Sequence, residues 1–174
     1  MSTPDTSTPS DDAPDPRRWQ ALALVCVAFF MTVLDGTIVT VALPTIKTSL
    51  HVADSTLQWV LIAYTITFGG LLLLGGRAAD LLGRRRLFMI GVTIFTAASL
   101  ACGLASTIGV LIAARAVQGV GAAIVSPAVL SIITTTFEEG SERNKALGIW
   151  GAIGGSGAAA AANGTPDAER LVAL

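Results

Sequence analysis

Four apolar runs fill most of this chain, and eight of its nine arginines lie outside them. The runs cover residues 19–43, 57–74, 87–106 and 107–133. A helix needs about 20 apolar residues to cross the hydrocarbon core of a bilayer, so each run reads as one crossing. Hydrophobic residues make up 52% of the chain and charged residues only 13%, where a soluble domain carries about 25% charge. The expected fold class is all-α, a polytopic bundle of membrane helices. A fifth segment, residues 146–162, is barely long enough to cross, and its last part is nearly all alanine.

The positive charges fix an orientation. Arg17 and Arg18 precede the first run, Arg77 and Arg84–Arg86 lie between the second and third, and Arg143 and Lys145 lie between the fourth and fifth. Lys47 is the one basic residue in the opposite loops. Cytoplasmic loops collect Lys and Arg, which places the N-terminus and the loops 75–86 and 137–145 in the cytoplasm of a cell-membrane protein. Residues 1–18 are rich in Ser, Thr, Pro and Asp, with no apolar run. They read as a disordered cytoplasmic tail, followed by a helical membrane region over 19–162 and an atypical polar tail over 163–174. The acidic start lacks the pattern of a cleaved signal peptide.

Polar residues inside the apolar runs are the candidates for chemistry. Asp35 interrupts the first run; a carboxylate in hydrocarbon is costly and normally faces a cavity or a partner. It reads equally as a proton or substrate site and as a structural group bonded to a neighbouring helix. Arg115 sits two turns into the fourth run, with Gln118 at i+3 on the same face. Arginine keeps its proton, so it serves as a fixed charge beside an acid, or snorkels to the interface. Gly119 and Gly121, and Gly148, Gly151 and Gly155 further on, allow close helix approach or bending. In the loop after the second run, Gly76 and Gly83 bracket Asp80, and Arg84 and Arg85 follow. Gly83 suits a helix end in a left-handed conformation. The residues show no nucleophile–base set, metal cluster or phosphate loop, so no enzyme, cofactor, metal site or nucleic-acid partner is expected. Cys26 and Cys102 read as small buried apolar residues.

The segments LDGTIVTVALP (34–44), GGRAADLLGRRRLF (75–88), LIAARAVQGVGAA (111–123) and SERNKALGIWGAIGG (141–155) resemble, in order, motifs of the major facilitator superfamily. The likeness is to its drug:proton antiporter branch with fourteen helices. It implies proton-driven export of small amphipathic or cationic compounds. It also implies a cytoplasmic gate latch at Gly76, Asp80, Gly83, Arg84 and Arg85, a link of Arg115 and Gln118 to proton coupling, and a place for Asp35 at the central cavity. The resemblance weakens after Gly157. Five alanines and NGTPDAERLVAL stand where the branch has a Gly-Pro pair. The expectation is an N-terminal fragment, truncated or frameshifted, whose partners are the lipid bilayer, protons, a small-molecule substrate and the missing C-terminal helices. Two other readings are a small oligomeric exporter or channel, and a non-transporting membrane scaffold.

Overall fold

A computed structural model describes residues 18–137 and 139–163. Five helices follow one another: α1 (Arg18–Leu50), α2 (Asp54–Leu82), α3 (Arg84–Gly103), α4 (Ile108–Thr136) and α5 (Ser141–Asn163). The described residues contain no strand. The first four helices are long and apolar enough to cross a membrane, and the chain is a multi-pass membrane protein. The tails at 1–17 and 164–174 lie outside the described residues, whereas Arg18 opens α1.

The helix ends depart from the sequence reading. The first apolar run, 19–43, predicts a helix that stops before Pro44, but α1 continues through that proline to Leu50. A proline removes one backbone donor, and in membrane helices nearby Ser and Thr hydroxyls adjust to the disturbed ladder. The acceptor that Pro44 leaves free is the Thr40 carbonyl, one turn earlier; the Thr48 hydroxyl donates to the Pro44 and Thr45 carbonyls further on, at 3.3 and 2.9 Å. The turn comes later, where His51 takes φ 50 and Lys47 reaches across to Asp54 at 2.7 Å. Between α2 and α3 stands one residue, Gly83, with φ 89 and ψ 124. A side chain there would be strained, so glycine makes this one-residue joint feasible.

The core of the bundle is α4. It buries half of its most apolar window, while α1 and α3 bury 22% and α2 11%. The sequence reason is small residues. A Cβ on Gly119 would lie 2.6 Å from the Tyr64 carbonyl, and one on Gly121 2.7 Å from the Phe95 backbone nitrogen. On the facing helices, a Cβ on Gly75 would run into the Ala123 carbonyl, and one on Gly91 into Ile124 and Val125. The axes of α2, α3 and α4 therefore approach more closely than alanine permits, which maximises dispersion contact where no hydrophobic force draws helices together. Attachment of α1 is different. It meets α5 and α4 through large side chains, with Phe29 against Trp150 at 5.3 Å and Trp19 edge-on to Phe137 at 5.1 Å. No neighbour lies within 4 Å of a Cβ on Gly148, Gly151 or Gly155, so the close approach expected there is not made among the described residues.

Candidate functional site

Arg115 and Gln118 project from one face of α4 toward α1 and are essentially buried, at 1% and 0% exposure. Arg115 Nη1 donates to Asp35 Oδ2 at 2.5 Å and to Gln118 Oε1 at 2.8 Å. Gln118 Nε2 donates to the other Asp35 oxygen, Oδ1, at 2.7 Å. Arg115 Nε points to the Val60 carbonyl of α2 at 3.4 Å, and the guanidinium stands 4.4 Å from the centre of the Tyr64 ring. Cys102 of α3 donates its thiol to Gln118 Oε1 at 3.5 Å. One charge pair is thus held by groups from four helices.

The geometry decides between readings that the sequence leaves open. Arg115 does not snorkel to an interface; its side chain turns inward to an acid 80 residues earlier. Asp35 uses both oxygens on α4. A buried pair of this kind contributes little net stability over an apolar substitute, but removing one partner leaves an uncompensated charge. The cluster is therefore sensitive to any event that neutralises Asp35, which is its one carboxylate among the described residues. Tyr64, Cys102 and the Val60 carbonyl are members that sequence reasoning missed. Tyr64 lies inside the second apolar run and Cys102 reads as apolar filler, and neither has a local pattern that names a partner on another helix.

A second polar knot lies where α1 begins and α4 gives way to α5. Arg18 pairs with Glu142 at 2.9 Å, and Lys145 sits 5.7 Å from the centre of the Trp19 ring. Arg143 donates to the Thr134 and Phe137 carbonyls at 2.9 and 3.0 Å. It thereby satisfies carbonyls that a helix C-terminus leaves without partners. Of the residues expected in a loop, Gly76 lies inside α2, where an added Cβ would stand 3.7 Å from Pro127; Gly83 is the joint itself, and Arg84 and Arg85 open α3. Asp80 is helical in α2, and its side chain lies outside the described residues.

The sequence model of the Major Facilitator Superfamily matches residues 25–162. The chain belongs to this superfamily. It is 53% identical over 146 residues to the puromycin resistance protein of Streptomyces alboniger, covering 84% of this chain and 29% of that protein. It is 49% identical over 133 residues to a cephamycin export protein of Amycolatopsis lactamdurans, covering 76% and 27%. To the methyl viologen resistance protein of Salmonella typhimurium it is 38% identical over 143 residues, covering 82% and 29%. Among solved structures, a bacterial homologue of the human lysosomal transporter Spinster, inward-facing and unoccupied, superposes with TM-score 0.73 at 24% identity. That match covers 83% of this chain and 30% of the other, and it supports the fold. The chain spans less than a third of the length of these relatives.

Proposed function

We propose that this chain forms the opening helices of a proton-coupled exporter of small amphipathic or cationic compounds. It sits in the cell membrane with its N-terminus in the cytoplasm. The observation that carries this reading is the Asp35–Arg115–Gln118 cluster, a titratable acid on α1 held through both oxygens by α4. Ionised, Asp35 ties the two helices together. Protonated, it no longer balances Arg115, and the tie weakens. A proton thereby shifts the balance between two arrangements by as much as it favours one over the other. Relatives named for resistance to, or export of, puromycin, cephamycin and methyl viologen support the substrate class. In this reading Gly76, Asp80, Gly83, Arg84 and Arg85 form a cytoplasmic latch made in one arrangement and broken in the other.

Secondary transporters of this superfamily place the substrate between two helical halves, so the 174-residue chain alone is expected not to export. Reconstituted in vesicles with an imposed proton gradient, it should give no puromycin-dependent proton flux above empty vesicles. Residues 1–163, continued by the remainder of the Streptomyces alboniger protein, should give that flux, and Asp35→Asn should abolish it. Flux from the 174-residue chain, or an Asp35→Asn chimera running at the parent rate, would count against the proposal. Orientation is checked separately by single cysteines on a background lacking Cys26 and Cys102. An impermeant thiol reagent applied to intact cells should label Ser55→Cys and spare Arg85→Cys; the reverse pattern would invert the topology.

A further inference from the structure

Arg115 keeps its charge under all ordinary conditions, so something must hold it when Asp35 does not. Four groups face it: Asp35 of α1, Gln118 Oε1 on its own helix, and the Val60 carbonyl and Tyr64 ring of α2. Cys102 of α3 meets Gln118 instead, and the charges of α5 lie at its start, from Glu142 to Lys145. Only Asp35 offers a charge that protonation removes. The Val60 carbonyl is a weak substitute at 3.4 Å, outside the usual range of about 2.7–3.2 Å. Val60 and Tyr64 are one turn apart on α2 and share a face. Carbonyl and ring therefore make one seat for the guanidinium.

That seat travels with α4. Gly119 follows Arg115 by one turn, and a Cβ on it would lie 2.6 Å from the carbonyl of Tyr64 itself. The two backbones are thus locked at the level of the ring. The ring is held in turn by Phe68, which stacks with it at 5.9 Å and 8° between planes. The Thr67 hydroxyl donates to the Tyr64 carbonyl at 3.1 Å. α1 has no such lock. It reaches the cluster through the Asp35 side chain and meets its neighbours through large side chains such as Phe29. A displacement of α1 leaves the guanidinium and the ring together.

The strength of the ring contact depends on the state of the acid. An aromatic face is negative and draws a nearby cation, more so away from water. While Asp35 is ionised, its charge offsets that of Arg115, and the ring feels a nearly neutral pair. Once Asp35 is neutral, the ring faces a lone cation 4.4 Å from its centre. The contact is then worth most, and it is made without moving either helix. The interaction is with the face of the ring, so phenylalanine preserves it and leucine removes it.

We infer that Tyr64 is a positioning residue: its ring keeps Arg115 in place on the α2 face while Asp35 is neutral and α1 is released. This rests on the reading of Asp35 as the acid that takes the proton. The test reads no flux, so a failed export assay and a failed test of Tyr64 are separate results. Tyr64→Phe and Tyr64→Leu are each made in three forms of the 174-residue chain: the parent, Asp35→Asn, which mimics the neutral acid, and the uncharged pair Asp35→Ala/Arg115→Met. The difference in melting temperature between Phe and Leu at 64 should be widest with Asp35→Asn, exceeding that in the parent by roughly 5 °C. It should be smallest in the uncharged pair. A side chain that only fills space gives the same difference in all three forms, and that result overturns the inference. The chain has one tyrosine, so NMR with ring-labelled tyrosine and nitrogen-labelled arginine reads the contact directly. The cross-peak between the ring and an arginine Nε–H, lost in Arg115→Met, should persist in Asp35→Asn. Its loss in Asp35→Asn means that the guanidinium has turned to another partner, and overturns the inference as well. If Asp35→Asn does not fold, the parent and the uncharged pair decide. The difference between Phe and Leu must then shrink when Arg115 is removed, and an unchanged difference rejects the seat.

Discussion

Asp35→Ala is expected to destabilise the bundle by about 3–5 kcal/mol, the range seen when one partner of a buried ion pair is removed. The loss is not the net worth of the pair. Arg115 is 1% exposed, and without Asp35 its guanidinium keeps a full charge inside the bundle with only Gln118 Oε1, the Val60 carbonyl and the Tyr64 ring for compensation. Removing both charges should therefore be milder than the two single losses suggest. In Asp35→Ala/Arg115→Met, no charge is stranded, and the coupling should come out at about 1–3 kcal/mol, as for residues in direct contact. Reversible unfolding of the purified chain in mixed micelles, read by helix content, gives the four values of the cycle. Strict additivity would mean that the pair does not act as a unit, and the account of Asp35 as a releasable tie between α1 and α4 would fail with it.

The second large effect is a difference in sign between glycines of the same local character. Gly119→Ala sets a methyl carbon 2.6 Å from the Tyr64 carbonyl and 3.2 Å from the Phe68 nitrogen. Both are backbone atoms, so α2 must shift away from α4 as a body. The cost is expected at about 1–3 kcal/mol, that of overpacking a well-filled core. The same substitution at Gly148 meets nothing within 4 Å. There it removes backbone freedom from the unfolded chain and should stabilise the helix by about 0.5–1 kcal/mol. Thermal denaturation of the two variants beside the parent tests this directly. Destabilisation at both sites, of similar size, would show that α5 is already packed against something at its glycine face.

These two experiments also mark where the sequence is legible. Asp35, Arg115 and Gln118 stand out because a charge or an amide inside an apolar run demands a partner. That local demand says nothing about which helix supplies it. The pairing spans 80 residues, and Tyr64 and Cys102 join it from helices whose own patterns are unremarkable. Glycines show the same limit. Those of α4 and those of α5 look alike in sequence, yet Gly119 and Gly121 lie against backbone while Gly148 and Gly151 face open space. A small residue permits a close approach; whether a neighbour is present depends on the rest of the chain. Pro44 is the converse case. A proline reads as a helix stop, but its effect on a long helix in lipid is local, and α1 passes through it.

The glycine seams that bind α2, α3 and α4 have a consequence for how such a chain is made. The three helices are consecutive, and every partner in their seams has been synthesised once α4 is complete. α1 is synthesised first, but its seats belong to α4 and α5. Until α4 has been threaded into the bilayer, Asp35 has no counter-charge. A nascent chain in that interval carries an unpaired acid in its first crossing, and a stall or premature stop before residue 115 would leave it so. The order of synthesis and the order of packing are thus opposed in this fold. Quality-control proteases that read lone intramembrane charges would meet their substrate in that window, before the fourth crossing is complete.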